Sequence, residues 1–329
     1  MRSVYFLFAL AVFGFSPERA LQAQPSFTNT MLAPGLYHQV YGIGDSTQPA
    51  IVFLHGGPGY NAAGFEAGIA QTLADAGFLV LVYDRRGEGR SMRLPGADPA
   101  AYSAEQTTED LREVLDAYGI ERAILMAHSF GSFPAFWFQE AYPERVQAIV
   151  LTSAALSLPV SFRHILNSSH ALYAARADSA QIKRLALVER MDTTSMAFAS
   201  YCFQMAMANG AYEPDSLVPE AKAAYARLRA DTLFALTAQM TFQAPMGFWQ
   251  HEQYTTVDWM PRVRSLSAEG VPIYALYGME DGLYSKSLVR ALQGILGDER
   301  WRYWSNASHN VFLDRPETFI ATLREWFGE

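Results

Sequence analysis

Ile124-Leu-Met-Ala-His-Ser129-Phe-Gly-Ser-Phe133 joins an apolar run to a helix-like segment through a serine held between small residues. A strand that turns abruptly into a helix at such a serine lifts the hydroxyl above the end of a sheet, as a nucleophile requires. The positions two before and two after the serine must be small because the turn is strained, and Ala127 and Gly131 meet this requirement. The pattern is short and recurs by chance, so its meaning depends on its structural context and on partner residues elsewhere.

Apolar runs and helical spacings alternate along the chain on both sides of this turn. Strands are predicted at 36–41, 50–55, 78–83, 122–127, 145–151, 271–277 and 301–304, and helices at 62–76, 107–118, 130–142, 285–296 and 315–327. Thr107 or Thr108 is the predicted cap of the second helix. The longest strand runs are continuously apolar, which is typical of strands buried on both faces. The alternation predicts an α/β fold with a mostly parallel central sheet flanked by helices.

The segment 156–260 interrupts this alternation. Its spacings are helical and rich in Met, Phe and Tyr, and it contains no convincing strand. We predict an inserted helical cap over 156–260, with the core of the fold formed by residues 24–155 and 261–329.

The N-terminus carries the features of an export signal. Arg2 precedes an apolar run over residues 4–15, and Leu21-Gln22-Ala23 offers an acceptable cleavage site. The run is shorter than the ~20 apolar residues of a spanning helix, which argues against a membrane anchor. We predict a signal peptide over residues 1–23 and an exported protein, periplasmic or secreted, that is not inserted in a membrane.

Composition narrows the classes of partner. The 329 residues are 50% apolar and 18% charged, which is enough apolar material for one large core. The formal net charge of −8 and the lack of a Lys/Arg-rich run argue against nucleic acid as a partner. Cys202 is the only cysteine, so no internal disulfide can form, and its aromatic neighbours favour a buried side chain over a reactive thiol.

Motifs for metals and dinucleotides are incomplete. The segment His251-Glu-Gln-Tyr-Thr255 lacks the second histidine of a helical zinc motif. Gly42-x-Gly44 and Gly87-x-Gly89 lack the third glycine of a dinucleotide fingerprint. We therefore predict neither a metal nor a cofactor, and we expect a small-molecule or short-peptide substrate.

Two further residues supply what a serine nucleophile needs. A serine hydroxyl requires a base to accept its proton, and the base requires an acid to fix its tautomer. Asp281 follows the predicted strand 271–277, and His309 follows the predicted strand 301–304. The order Ser129, Asp281, His309 is that of α/β-hydrolases, and each residue lies where parallel sheets place their sites. We predict Ser129 as nucleophile, His309 as base and then acid, and Asp281 as the residue that orients His309.

Each partner has a local competitor. Glu280 competes with Asp281, but adjacent side chains point in different directions, so only one is expected to reach the histidine. His128 lies beside the nucleophile, where neighbours on a strained turn point away from the reaction. His55 ends a strand beside a glycine-rich loop, where a structural hydrogen bond is favoured over proton transfer.

The glycine-rich loop His55-Gly-Gly-Pro-Gly59 leaves its backbone amides accessible to a ligand. Acyl transfer passes through a negatively charged oxygen that preorganised donors must stabilise. We predict that this oxyanion hole consists of the amides of Phe130 and Gly57, with Gly56 as the alternative to Gly57.

Taken together, these motifs resemble the α/β-hydrolase superfamily. The loop His55-Gly-Gly-Pro-Gly59, with Asp84-Arg-Arg-Gly-Glu-Gly-Arg-Ser91, most resembles the prolyl iminopeptidase branch, and the likeness covers residues 36–155 and 265–329. The resemblance implies an α/β-hydrolase fold and a cofactor-independent serine aminopeptidase that works through an acyl-enzyme.

The sequence departs from that branch around the nucleophile. The branch usually has Gly-Gly-Ser-Trp-Gly, whereas this chain has Ala127-His-Ser129-Phe-Gly131, which is closer to general esterases and lactonases. The alternative function is therefore a carboxylesterase or lactonase acting on a small apolar acyl substrate. The alternative of another class is a non-catalytic binding protein on the same fold.

The cap is expected to supply substrate contacts. Aminopeptidases of this branch hold the substrate's free amine with cap carboxylates, for which Glu252 is the first candidate and Glu213 the second. Phe248 and Trp249, close to Glu252 in sequence, are predicted to bind substrate. The apolar cap residues are expected to be mostly core, with some lining a pocket over Ser129; they include Met205, Met207 and Phe242. Arg85 and Arg86 are expected to brace the loop after Asp84.

Overall fold

Seven strands form one sheet in the residues that the computed structural model describes, which are 36–42, 49–91 and 102–328. The strands are β1 (His38–Tyr41), β2 (Ala50–Leu54), β3 (Leu79–Tyr83), β4 (Ala123–His128), β5 (Val146–Thr152), β6 (Ile273–Gly278) and β7 (Trp301–Trp304). Their order across the sheet is β1-β3-β2-β4-β5-β6-β7. β1 pairs antiparallel with β3 and the other pairs are parallel, which confirms the predicted sheet. The predicted signal peptide lies outside the described residues.

Apolar side chains cover both faces of the central strands. Each residue of β2, β3 and β4 is buried. Because successive side chains of a strand point to opposite faces, Val52 and Leu54 belong to one apolar cluster, while Ile51 and Phe53 belong to another. The continuous apolar runs in the sequence thus reflect strands that are covered on two sides.

Helices lie between and after the strands. They are α1 (Ala63–Phe65), α2 (Gln71–Asp75), α3 (Ala104–Ala117), α4 (Ser132–Ala141), α5 (Leu158–Ala175), α6 (Ser179–Val188), α7 (Met196–Ala208), α8 (Pro219–Ala230), α9 (Gln243–Glu252), α10 (Met260–Ala268), α11 (Lys286–Leu296), α12 (Val311–Asp314) and α13 (Pro316–Phe327). Among the described residues, no helix has both the length and the apolar character needed to cross a membrane.

The helix predicted over 62–76 is not a regular α-helix. It starts as α1, continues as a π-helical segment, Glu66–Ala70, and ends as α2. The buried carboxylate of Glu66 accepts hydrogen bonds from the hydroxyls of Tyr37 at 2.6 Å and Tyr41 at 2.8 Å, and it binds Arg90 at 2.7 Å. A single π turn inserts one residue into a helix and hardly changes the spacing of its apolar residues. The sequence pattern therefore does not reveal it.

The start of α3 also differs from the prediction. Ser103 caps this helix, since its side chain accepts a hydrogen bond from the Gln106 amide at 3.2 Å. Thr107 and Thr108 lie inside the helix and are buried. The prediction was wrong because a serine three residues before a glutamine is itself a helix-start signal, and it precedes both threonines.

The helices α5 to α10 are inserted between β5 and β6. This helical insertion extends past residue 260, because α10 continues to Ala268; the domain boundaries at 156 and 260 stay predictions.

The insertion contacts the glycine-rich loop after β2. The Thr241 amide donates to the Gly59 carbonyl at 2.8 Å, and the Tyr60 hydroxyl donates to the Thr237 carbonyl at 2.7 Å.

Candidate active site

β4 runs directly into the turn that carries Ser129. The strand ends at His128, a 3-10 turn follows at Ser129–Gly131, and α4 begins at Ser132. Ser129 has a φ of 53°, in the left-handed region that residues with a side chain rarely adopt. Strain of this kind costs on the order of 1–3 kcal/mol and is concentrated at functional sites. Ser129 is partly exposed in an otherwise buried stretch, so the turn presents its hydroxyl.

Gly131 is where this turn passes closest to the sheet. A methyl group on Gly131 would lie 2.0 Å from the carbonyl oxygen of Leu54, at the end of β2. Real side chains cannot approach a backbone atom so closely, and a backbone atom cannot move aside cheaply. The contact between the nucleophile turn and the end of β2 therefore explains why the residue two positions after the serine must be small.

Asp281 and His309 meet above the ends of neighbouring strands. Asp281 follows β6 and His309 follows β7, and these strands pair in parallel. Nδ1 of His309 lies 2.9 Å from Oδ2 of Asp281, and both residues are buried. Because an ionised carboxylate can only accept, Nδ1 is the donor in this bond, and in the neutral imidazole the lone pair then lies on Nε2. This tautomer is the one that a general base for a serine needs.

The adjacent carboxylate of Glu280 has other partners. Its Oε2 accepts a hydrogen bond from the Asp215 amide at 2.6 Å, and its Oε1 accepts one from the Asn306 amide at 3.0 Å. Glu280 thus ties the helical insertion to the loop before His309. Of the two carboxylates that compete for the imidazole, the geometry favours Asp281.

His128 packs against His309 and is hydrogen-bonded to its backbone. The two ring centroids are 4.9 Å apart, and Nε2 of His128 donates to the His309 carbonyl at 3.1 Å. Burial, followed by the charge of nearby His309, lowers the pKa of His128 to about 3. A ring that stays neutral and donates to a backbone carbonyl is a structural group, as the sequence interpretation favoured.

The change His128→Gln is expected to remove part of the acid sensitivity of the fold. A histidine in the unfolded chain binds a proton below about pH 6.5, whereas buried His128, with a pKa of about 3, stays neutral. Its contribution to stability is therefore complete above pH 6.5 and is lost as the pH falls from 6.5 towards 3. Between pH 7 and pH 5 the variant is expected to gain about 2 kcal/mol in unfolding free energy relative to the unchanged protein.

Urea unfolding at the two pH values measures this difference. The exposed His251 provides a matched control, since His251→Gln is expected to shift stability equally at both. A difference between His128→Gln and the unchanged protein that does not vary with pH would contradict the neutral state of His128.

The loop His55-Gly-Gly-Pro-Gly59 lies against the nucleophile turn. A methyl group on Gly56 would lie 3.0 Å from Cβ of Ser129 and 3.5 Å from its Oγ. Gly57 has a φ of 114°, which glycine adopts without strain and other residues do not. The amides predicted to bind an oxyanion, those of Gly57 and Phe130, thus belong to two segments that touch at Ser129. Their role as donors stays a prediction.

His55, at the start of this loop, has a structural partner on each ring nitrogen. Its Nε2 accepts a hydrogen bond from the Arg85 amide at 3.1 Å, and its Nδ1 donates to the Gly56 carbonyl at 2.9 Å. Burial lowers the pKa of His55 well below its usual value, so the ring is neutral. These bonds agree with the structural role expected for His55.

Two tyrosines that the sequence interpretation did not single out surround His309. The ring of Tyr212, from the helical insertion, packs edge-on at 5.1 Å, and the ring of Tyr284 packs at 6.0 Å. Burial raises the pKa of the Tyr284 phenol well above its usual value, and a hydrogen bond with Ser129 acts in the opposite direction. Tyr284 lies three residues after Asp281 in the chain, which is the one sequence signal that could have found it.

The predicted amine-binding carboxylate, Glu252, is engaged elsewhere. Its Oε1 accepts a hydrogen bond from the Ala104 amide at 2.6 Å, at the start of α3. A carboxylate at a helix N-terminus is stabilised by the unpaired amides there. Glu213, the second candidate, is exposed and follows Tyr212, whose ring contacts His309. These contacts favour Glu213 over Glu252, and the identity of an amine-binding carboxylate stays a prediction.

The apolar residues predicted to bind substrate have different positions. Phe248 is buried with its ring 5.3 Å from that of Phe130, so it packs against the nucleophile turn. Trp249 donates its indole N–H to the Thr194 carbonyl at 2.9 Å. Met207 and Phe242, expected in the core or a pocket, are 62% and 65% exposed. That part of the expectation was wrong, because apolar character alone does not tell which face of a helix is buried.

Arg85 and Arg86 brace the loop after Asp84, as expected. Arg85 binds Glu88 at 2.7 Å within the same loop, and Arg86 binds Asp110 of α3 at 2.6 Å.

Within the described parts of the chain, no group of three or more His, Cys, Asp or Glu side chains is arranged to hold a metal ion.

The sequence profile of the α/β hydrolase fold matches residues 49–316. This chain is an α/β hydrolase. The solved structure of a proline iminopeptidase-related protein of Thermus thermophilus superposes with a TM-score of 0.63 and 25% identity, and the alignment covers 88% of this α/β hydrolase and 92% of that chain.

Two curated proline iminopeptidases are similar to this α/β hydrolase over most of its length. The protein of Lactobacillus helveticus (strain DPC 4571) is 24% identical over 286 residues, 86% of this chain and 91% of that one. The protein of Clostridioides difficile (strain 630) is 23% identical over 297 residues, 89% and 94% of the two chains. The resemblance to the prolyl iminopeptidase branch is confirmed, and it supports hydrolase activity on a small substrate.

Proposed function

We propose that this α/β hydrolase is a serine aminopeptidase that removes N-terminal proline from short peptides through an acyl-enzyme. The observation that carries the proposal is the pairing of His309 with Asp281 at 2.9 Å, together with a serine held at a φ of 53° directly after β4. The choice of substrate rests on the proline iminopeptidases to which the chain is similar.

In this mechanism Nε2 of His309 accepts the proton of Ser129 as Oγ bonds to the carbonyl carbon of the proline residue. Asp281 stabilises the resulting imidazolium. The amides of Gly57 and Phe130 bind the negative oxygen of the tetrahedral intermediate, each donor contributing ~3 to 4 kcal/mol. The imidazolium then protonates the leaving amine as the C–N bond breaks, and a water molecule activated by His309 releases proline from Ser129.

The proposal needs an anion for the substrate's protonated amine. Glu213 fits this role because its carboxylate is exposed and its neighbour Tyr212 contacts the ring of His309. The carboxylate of Glu252 already accepts from the Ala104 amide. A charge-assisted hydrogen bond to the amine is worth about 1.5–3 kcal/mol, which is enough to select free amines over blocked ones.

An esterase or lactonase is the second candidate, and one observation favours it. The nucleophile turn is enclosed by aromatic rings: the ring of Phe130 lies 4.8 Å from Phe133, 5.3 Å from Phe248 and 5.3 Å from Tyr254. These rings are buried and form an apolar layer around the turn, and apolar surroundings suit a small acyl group without a charged amine.

A paired rate assay on protein that starts at Gln24, after the predicted signal peptide, separates the two candidates. The substrates are a proline arylamide with a free amine, the same arylamide with its amine acetylated, and a short-chain aryl ester. We expect cleavage of the free arylamide and little cleavage of the acetylated one. Cleavage of the ester alone would overturn the aminopeptidase proposal in favour of the second candidate.

Matched carboxylate variants extend this assay to the amine site. Glu213→Gln is expected to lower kcat/KM for the free arylamide by about 10- to 100-fold, through KM, because it removes the charge but keeps the shape. Glu252→Gln is the control, expected to change kcat/KM by less than about threefold. The reverse order of effects would assign the amine to Glu252.

A further inference from the structure

A buried ion pair lies in the loop after β3. Nη2 of Arg85 is 2.7 Å from Oε2 of Glu88, and the side chains are 3% and 0% exposed. Removing two charges from water costs several kcal/mol per ion, which their attraction offsets only with good geometry and further hydrogen bonds. A buried ion pair is therefore weak evidence for a stabilising role. The role of this pair is inferred from the other contacts of its two side chains.

Both Nη atoms of Arg85 are directed at the glycine-rich loop after β2. Nη1 donates to the carbonyl of His55, and Nη2 donates to the carbonyl of Gly56 at 2.8 Å. The guanidinium carbon also lies 5.3 Å from the ring centroid of Phe130. One side chain thus contacts both segments that hold the predicted oxyanion donors.

Because the peptide bond is planar, the bonds from Arg85 to the two carbonyls also determine where the neighbouring N–H groups point. The carbonyl of Gly56 and the amide of Gly57 belong to one peptide unit, and in a trans unit they point in opposite directions. Arg85 therefore fixes the direction of the Gly57 N–H by binding the oxygen at the other end of the same plane. The carbonyl of His55 is related in the same way to the amide of Gly56, the alternative donor.

We propose that Arg85, held by Glu88, is the positioning residue of the oxyanion hole. Arg85 does not touch the reacting atoms; it holds the Gly56–Gly57 peptide and the Phe130 side of the turn in the orientation that the transition state needs. This role rests on the proposed serine hydrolase function. It adds to that function a buried charged pair that is bonded to the carbonyls of the glycine-rich loop.

Arg86 provides a matched control in the same loop. It also forms an ion pair, with Nη2 2.6 Å from Oδ1 of Asp110 and Nε 2.9 Å from Oδ2 of the same carboxylate. Its partner belongs to α3 and not to the glycine-rich loop. Loss of either arginine removes a charged pair, but only loss of Arg85 removes the guanidinium bonds to the carbonyls of His55 and Gly56. The Gly56 carbonyl then keeps only its bond from Nδ1 of His55.

The test compares Arg85→Met with Arg86→Met by two readouts. The first is kcat and KM on the best substrate of the unchanged enzyme, and the second is the rate constant for labelling by a fluorophosphonate. We expect Arg85→Met to lower kcat and the labelling rate together by about 100-fold, with KM within about threefold, since a misplacement of about 1 Å costs that much. Arg86→Met is expected to leave both rates within about threefold.

Two milder variants keep the test decisive if Arg85→Met does not fold. Arg85→Lys keeps the charge but not the fork that spans two carbonyls and a carboxylate, so a loss of about tenfold is expected in both rates. Glu88→Gln still offers an oxygen to Arg85 and is expected to lose less. Rates for Arg85→Lys equal to those of Arg86→Met would overturn the positioning role, whereas an unchanged enzyme that is not labelled at all would overturn the proposed function itself.

Discussion

The change Ser129→Ala is expected to lower kcat by about 10⁶-fold. It removes the Oγ atom that bonds to the substrate, so no acyl-enzyme can form. Alanine at a φ of 53° is strained about as much as serine, so the unfolding free energy is expected to change by less than about 1 kcal/mol. Steady-state rates and the fluorophosphonate label together measure the loss.

Ser132 is the control for this prediction. Its hydroxyl donates to the carbonyl of Ala155 at 2.8 Å and lies 3.1 Å from the carbonyl of Ser129, so it is a structural group next to the nucleophile turn. Ser132→Ala is expected to keep the fluorophosphonate label and to lose less than about tenfold in kcat, from a small shift of the turn. A label that persists in Ser129→Ala would place the nucleophile elsewhere and end the proposed mechanism.

The change Asp281→Asn is expected to lower kcat by about 10⁴-fold. An amide can donate to Nδ1 of His309 as well as accept from it, so the imidazole can adopt the tautomer that cannot take a proton from Ser129. The positive charge that His309 gains during catalysis also loses its counter-charge. Steady-state rates of the two proteins at one pH measure this loss.

Glu280→Gln is the comparison for Asp281→Asn, because the two carboxylates are adjacent in the chain. Glu280 accepts from the amides of Asp215 and Asn306, and an amide side chain keeps an acceptor oxygen there. We expect a loss of less than about tenfold. Equal losses in the two variants would mean that the loop, and not the carboxylate of Asp281, controls the rate.

The sequence predicted the features that short segments determine. The continuous apolar runs predicted the sheet because strands that are covered on both faces admit no polar alternation. The order of Ser129, Asp281 and His309 predicted their meeting, because parallel strands bring the ends that carry them to one edge. The observed bond between Asp281 and His309 at 2.9 Å agrees with that expectation, and the catalytic roles of the three stay predictions.

The sequence did not predict what depends on contacts between distant segments. Glu252 was predicted to bind the substrate's amine, but its carboxylate accepts a hydrogen bond at the start of α3. That helix is distant from Glu252 in the sequence. Tyr212 reaches His309 only through the packing of the helical insertion. The role of Arg85 was recognised in part, as a brace, but its bonds to the carbonyls of His55 and Gly56 depend on how two loops stack. Composition and spacing carry no information on such pairings.

The close approach of Gly131 to Leu54 bears on any effort to change the substrate range of this enzyme. With the carbonyl oxygen of Leu54 2.0 Å from where a Cβ would stand, we expect most substitutions at position 131 to disrupt the turn. Exposed insertion residues such as Met207 and Phe242 are free of that constraint. A laboratory evolution experiment gains most by holding the turn fixed and placing its diversity in the insertion.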